Sequence, residues 1–168
     1  MADRLIGVNT WVWDSPLTDA NLPPLLEKIA ALGFDAVELP LENAGDFTAA
    51  TARQSLAATG LKPFIVGAMA PGRDLVAADA ATVSATQDYL AACIKMAYDV
   101  GAPAVCGPFY SATGRVWRLT EAERAEAYRE LRRNLAAAAS AKAGGRMPSL
   151  PPSQAVSTSS TCPFGSSK

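Results

Sequence analysis

Apolar segments of strand character alternate with segments of helical periodicity four times along this chain. A glycine follows the first three helical segments, at Gly33, Gly60 and Gly101, and another apolar segment comes directly after each of them. Valine, isoleucine and aromatic residues favour strands, and glycine commonly ends a helix. The pattern predicts strands at residues 5–13, 34–39, 61–66 and 104–107, and helices at 19–32, 46–59, 80–100 and from 120 onward.

Strands that alternate with helices pair in parallel, because a helix-length connection is needed to return the chain to the same edge of a sheet. The spacing Thr120 to Glu123 is that of a capping box, and it marks the start of the fourth helix. We therefore predict an α/β fold with about four β/α units. A complete eight-stranded β/α barrel needs about 250 residues, and this chain has 168.

The sequence changes character after Gly144, where a fifth strand is due. Residues 146–168 are rich in serine, proline and threonine and carry neither strand nor helix periodicity. We expect two parts, a folded region at residues 1–143 and a disordered tail at 144–168. Two explanations of the tail stay open: a natural solvated end, or the product of truncation or out-of-frame translation.

The composition excludes several functions. Lys and Arg number 15 against 16 acidic residues, so no net field attracts nucleic acid or an anionic membrane surface. No apolar run approaches the roughly 20 residues of a membrane helix, and we expect a cytoplasmic location. The chain has no histidine, which removes imidazole chemistry. Its three cysteines form no CxxC pair, so buried structural thiols are expected.

In parallel β/α architectures the functional groups lie at the carboxyl ends of the strands. On the first predicted strand, alternation places Asn9, Trp11 and Trp13 on one face, where they could line a pocket. The alternative for the tryptophans is a pair of core aromatics. Glu38 ends the second strand as a candidate ligand for a polyol or a cation, or else as a helix cap or a partner of Arg73.

The third strand ends at Gly67 and Ala68, and the fourth leads into Gly107 to Ser111, GPFYS. Here Pro108 and Phe109 could form an apolar wall, and Tyr110 could donate a hydrogen bond. An ordinary turn that packs its aromatic residues is the alternative. Arg73 could bind an anion, or could be a solvated side chain beside Asp74.

Three segments resemble one family: LGFDAVEL (residues 32–39), TGL (59–61) and VCGPFYSATGR (105–115). They are similar to the ketose 3-epimerases, of tagatose and allulose type, in the sugar phosphate isomerase/epimerase superfamily with its xylose isomerase-like TIM barrel. The resemblance runs over residues 5–145. It implies a partial TIM (β/α) barrel that corresponds to the N-terminal half.

The resemblance also implies a small sugar substrate and a divalent cation, manganese or cobalt, held by two Glu, one Asp and one His on strands five to eight. Those strands have no counterpart here, so we assign no catalytic residue, no metal ligand and no cofactor to this chain. In relatives, the positions that border the substrate match Asn9, Trp13, Gly67 and Ala68, together with Pro108 and Phe109.

We therefore expect a truncated, inactive member of a family whose complete proteins perform metal-dependent epimerisation at C3, or isomerisation, of a small ketose. One alternative is a non-catalytic half-barrel that self-associates through its open sheet edges or binds a partner. Another is a different barrel enzyme of isomerase type, such as a hydroxypyruvate isomerase or an inosose dehydratase.

Overall fold

The computed structural model describes residues 4–140. Four strands form one parallel sheet in the order β1-β2-β3-β4, and four helices lie against it. The predicted α/β fold with four β/α units is thus confirmed, whereas the predicted tail at 144–168 lies outside the described residues. The strands are β1 (Gly7–Asn9), β2 (Ala36–Leu41), β3 (Lys62–Gly67) and β4 (Val105–Cys106), and the helices are α1 (Leu22–Ala31), α2 (Ala49–Thr59), α3 (Ala80–Val100) and α4 (Glu121–Ser140).

Helix ends follow the local signals in the sequence. Gly60 and Gly101 cap α2 and α3 in the left-handed region, with φ of 73° and 75°, a conformation that costs glycine little. At the start of α4, the backbone N–H of Thr120 donates to Glu123 Oε2 over 2.8 Å, which confirms the capping box. This hydrogen bond lowers the pKa of Glu123.

The first strand is shorter than predicted. It ends at Asn9, and residues Thr10–Val12 form a turn of 3₁₀ helix. Asn9 causes the break, because its side-chain oxygen accepts a 2.9 Å hydrogen bond from the backbone N–H of Trp11. Asparagine competes in this way with the strand hydrogen bonds of its own backbone. The expectation that Trp11 and Trp13 share one face of a strand is therefore wrong.

The two faces of the sheet differ. One face packs against the helices and contributes Val37, Leu39 and Ile65 to the hydrophobic core. Register pairs Asn9 with Glu38 and Glu38 with Phe64, so these three side chains lie on the opposite face. On that face, which we call the inner face, Asn9, Glu38 and Phe64 are only partly buried, whereas Val66 is buried.

Candidate functional site

Asn9 and Glu38 form a hydrogen-bonded pair on the inner face. Asn9 Nδ2 donates to Glu38 Oε2 over 2.9 Å, while Asn9 Oδ1 caps the following turn. Both ends of the Asn9 amide are therefore fixed, and the Glu38 carboxylate is held in place by a neighbouring strand. In the described structure, Glu38 neither caps a helix nor pairs with Arg73.

The two tryptophans lie in different surroundings. Trp11 is partly exposed, and its indole N–H donates to Glu42 Oε1 over 2.9 Å at the rim of the sheet. Trp13 packs edge-on against Phe34, with ring centroids 6.5 Å apart, and Lys28 Nζ lies 5.3 Å from its ring centroid. Trp13 is thus partly buried against the hydrophobic core, and substrate roles for Trp11 and Trp13 stay predictions.

The segment after β3 is held by Tyr89 of α3, a residue that the sequence analysis did not single out. The Tyr89 hydroxyl accepts from the backbone N–H of Ala68 over 2.7 Å and donates to the carbonyl oxygen of Leu41 over 2.7 Å. It thereby ties the ends of β2 and β3 together. Burial raises the pKa of Tyr89, so the phenol remains protonated.

Arg73 completes this arrangement. Its guanidinium lies 3.7 Å from the Tyr89 ring centroid, and it donates to the carbonyl oxygen of Ala68 over 2.9 Å and to Asn43 Oδ1 over 3.1 Å. The Arg73 side chain is therefore not solvated beside Asp74. Its contacts in the described structure do not show that it binds an anion. Both backbone groups of Ala68 are engaged within the protein, so this residue presents its methyl group.

Phe109 packs onto two glycines. A Cβ atom on Gly67 would lie 2.5 Å from Phe109 Cε1, and one on Gly107 would lie 2.3 Å from the Gly67 carbonyl oxygen. Only glycine allows these contacts. The Phe109 ring packs against the hydrophobic core, whereas Pro108 and Tyr110 are exposed on the same loop. The loop is therefore a turn that packs its aromatic residue Phe109, and substrate roles for Pro108, Phe109 and Tyr110 stay predictions.

An ion pair joins the loops that follow β3 and β4. Arg115 Nη1 donates to Asp74 Oδ2 and to the carbonyl oxygen of Val76, and its guanidinium lies 4.0 Å from the Trp117 ring centroid. Asp74 is buried and also accepts from the backbone N–H of Val76 over 3.1 Å. Arg115, another residue that the sequence did not single out, therefore holds the loop that contains GPFYS against the loop that follows β3.

The thiols are not activated. Cys106 shares the inner face, where burial and the nearby Glu38 carboxylate raise its pKa. Burial also raises the pKa of Cys93. Both thiols are therefore protonated at neutral pH and are poor nucleophiles.

The metal that the resemblance implies does not fit the side chains described. Among residues 4–140, no three His, Cys, Asp or Glu side chains come together in a group that could hold a metal ion. The inner face offers the single carboxylate of Glu38 beside an amide and a neutral thiol, which is a poor donor set for a hard divalent cation. No metal-assisted step is assigned to these side chains.

Comparison with known proteins identifies the family of the chain. The model of the family described as "Xylose isomerase-like TIM barrel" matches residues 26–145. The chain belongs to this family. Its four parallel β/α units are thus part of a TIM barrel, and the predicted fold class and resemblance are confirmed. Within residues 4–140, none of the helices is both long enough and apolar enough to cross a membrane.

Similar proteins are ketose epimerases. A ketose 3-epimerase of Arthrobacter globiformis is 30% identical over 107 residues, which are 64% of this chain and 37% of that protein. The D-allulose 3-epimerase structure from Methylomonas sp. superposes with a TM-score of 0.70 at 21% identity, over 81% of this chain and 48% of that one. An L-ribulose 3-epimerase structure gives 0.69 at 22% identity, over 83% and 47%. The chain thus spans less than half the length of these relatives.

Proposed function

We propose that this chain supplies the first four β/α units of a sugar isomerase or epimerase barrel that acts on a small ketose. The family match and the similarity to ketose 3-epimerases support this proposal. The balanced charge of the chain also disfavours nucleic acid as a partner. We include a cytoplasmic location, which is consistent with the free thiols of Cys93 and Cys106.

The observation that carries the proposal is the Asn9–Glu38 pair on the inner face, where Asn9 stands at the carboxyl end of β1 and Glu38 lies within β2. Active sites of β/α barrels lie at this end. An ionised carboxylate accepts several hydrogen bonds, so Asn9 does not saturate Glu38. In this proposal Glu38 accepts a hydrogen bond from a sugar hydroxyl, the Ala68 methyl group limits the pocket, and Trp11 and Tyr110 stand at its rim.

Proton transfer at the sugar carbon belongs to groups outside the described residues. The resemblance places the metal and its carboxylates on strands five to eight, and a metal ion would stabilise the oxyanion that develops on the substrate. We therefore propose that the 168 residues by themselves do not catalyse epimerisation, because residues 4–140 contain no group of His, Cys, Asp or Glu side chains that could hold the metal.

An activity assay tests this proposal directly. The 168-residue chain is incubated with manganese or cobalt and a panel that includes D-allulose, D-tagatose, D-fructose and L-ribulose, and products are separated by chromatography. We expect no turnover. Turnover by the wild-type chain would contradict the proposed inactivity. If the Glu38→Gln variant then shows no turnover, the chemistry lies in the described half.

The coding DNA provides the second test. All three reading frames after codon 144 are translated and searched for an apolar fifth strand followed by Glu, Asp and His in β/α spacing. We expect one frame to contain them. If no frame does, the barrel proposal loses its catalytic half and the second candidate function gains support.

That second candidate is a non-catalytic half-barrel that binds a partner. The inner face favours it, because Phe64 and Cys106 lie there and are only partly buried by the described residues. Parallel sheets are almost always covered on both faces. A partner that supplies the missing layer would therefore stabilise this half.

A further inference from the structure

Hydrogen bonds fix the orientation of Trp11 after the end of β1. The backbone N–H of Trp11 donates to Asn9 Oδ1, and its indole N–H donates to Glu42 Oε1, each over 2.9 Å. The Ser15 hydroxyl donates to the same carboxylate oxygen. Trp11 is 41% exposed in the described structure, so burial in the core does not set its orientation. The indole N–H is the only hydrogen-bonding group of a tryptophan side chain, and Glu42 therefore decides where the edge of the ring points.

Glu42 is itself held in place by its neighbours in the chain. It is the first residue after β2 and is partly buried. The carbonyl oxygen of Leu41, the residue before it, accepts a 2.7 Å hydrogen bond from the Tyr89 hydroxyl. Asn43, the residue after it, accepts a 3.1 Å hydrogen bond from Arg73 at Oδ1. Because the backbone is fixed on both sides, only the side chain of Glu42 must be ordered to bind the indole, which keeps the entropic cost low.

The Trp11–Glu42 contact lies beyond the Asn9–Glu38 pair, toward the carboxyl end of the sheet. Leu41 packs in the helix-side core, and side chains alternate between the two faces of a strand, so Glu42 follows Glu38 on the inner side. The Asn9–Glu38 hydrogen bond joins the β1 segment to β2, and the Trp11–Glu42 hydrogen bond joins the same two segments again four residues later in β2. The indole therefore bridges the two segments at one end of the pocket in which Glu38 is proposed to bind a sugar hydroxyl.

We propose that Glu42 is a positioning residue that holds the Trp11 indole as a stacking surface for the apolar side of a small ketose. The face of an indole ring carries partial negative charge and attracts the polarised C–H groups of a sugar. A ring that is fixed before the sugar arrives loses little conformational freedom on contact. This inference rests on the proposed function and deepens it, because it gives the pocket an aromatic wall and names the residue that orients it.

Two other roles for Glu42 lead to different expectations. If Glu42 bound a sugar hydroxyl directly, Glu42→Ala would weaken sugar binding whether or not Trp11 is present. If Glu42 only fastened the loop through Ser15, the substitution would change the stability of the chain and leave its sugar affinity as it was. A role that acts through Trp11 predicts that Glu42→Ala weakens sugar binding, and that this effect disappears once the indole has been removed.

Proton–nitrogen NMR of the full 168-residue chain tests the proposal, with D-allulose, D-tagatose, D-fructose and L-ribulose added in turn. Binding is followed at the backbone amide of Ala68 and the side-chain amide of Asn9. We expect Glu42→Ala to weaken the affinity by about threefold to tenfold, and Glu42→Gln, which keeps an oxygen acceptor for the indole, to recover most of it. Glu27→Gln makes the same change at an exposed position of α1 and is the matched control. In a Trp11→Ala background, Glu42→Ala is expected to change the affinity by less than about twofold.

The same spectra, recorded without sugar, establish that each variant is folded and report the contact itself. The indole N–H signal of Trp11 should move in Glu42→Ala and stay in place in Glu27→Gln. Equal sugar affinities of Glu42→Ala and the wild type would overturn the positioning role, and so would an undiminished effect of Glu42→Ala in the Trp11→Ala background. Both results leave the proposed function intact, because the wild-type chain still binds a ketose. If none of the four sugars shifts a signal, the sugar-binding role proposed for this half is contradicted, and this inference with it.

Discussion

The hydroxyl of Tyr89 accepts a 2.7 Å hydrogen bond from the backbone N–H of Ala68. With its second bond, to the Leu41 carbonyl oxygen, one side chain of α3 sets the separation between the ends of β2 and β3. This contact positions the segment that would border a substrate. Under the proposed function, Tyr89 is a positioning residue that acts through Ala68.

Tyr89→Phe removes both hydrogen bonds and leaves a backbone donor and acceptor without this partner. We expect the free energy of unfolding to fall by about 1–3 kcal/mol, measured by urea denaturation at fixed protein concentration. Tyr128→Phe is the control, because Tyr128 is 59% exposed, and its effect is expected to stay within about 0.5 kcal/mol. Equal midpoints for Tyr89→Phe and the wild type would show that the bridge contributes nothing.

Arg115→Ala breaks the ion pair with the buried Asp74. Arg115 is about one-third exposed, so solvent reduces the effect, and we expect a loss of about 1–3 kcal/mol rather than the larger cost of a fully buried pair. Arg129→Ala removes a solvent-exposed pair with Glu126 and is expected to cost less than about 1 kcal/mol.

A double-mutant cycle with Asp74→Ala separates the pair from the other contacts of Arg115. We expect a positive coupling energy between Asp74 and Arg115 in chemical denaturation. Additive effects of the two substitutions would mean that the ion pair does not hold the loops together.

Gly67→Ala places a methyl group 2.5 Å from Phe109 Cε1. The ring must move, and we expect a loss of about 1–3 kcal/mol from overpacking. In a Phe109→Leu background the same substitution should cost less, because the clashing atom is absent. Differential scanning calorimetry of the four proteins measures this coupling, and an undiminished cost in the double variant would contradict the packing.

The thiols provide a pH-dependent prediction. The pKa values of Cys93 and Cys106 are raised in the folded chain, so both ionise more readily after unfolding. Their contribution to stability is complete below the unfolded thiol pKa and is lost as pH rises through the folded one. We expect the unfolding free energy to decline above about pH 8.5 and the decline to become shallower in a Cys93→Ser, Cys106→Ser variant.

A disulfide-exchange reagent gives an independent check of the same thiols. In a Cys162→Ser background, we expect labelling of the folded chain at pH 8 to be much slower than labelling in urea. Labelling at the same rate in both conditions would contradict the protection of Cys93 and Cys106.

Local sequence determined the β/α organisation. Apolar periodicity marks each element, and the helix ends at Gly60 and Gly101 need only the tolerance of glycine for positive φ. The capping box at Thr120 and Glu123 is equally local. The motifs in residues 32–39 and 105–115 were sufficient to predict the family that the comparisons confirm.

Tertiary structure decided the site. The strand after Gly7 appears continuous in sequence, yet it ends where the Asn9 side chain caps a turn and pairs with Glu38, 29 residues away. In the sequence, Tyr89 resembles the apolar residues of the same helix. Only the fold places the backbone N–H of Ala68 beside its hydroxyl. Arg115 forms an ion pair with Asp74, which lies 41 residues earlier in the sequence. Such contacts join positions that no local period relates, so only the packed sheet and its loops could reveal them.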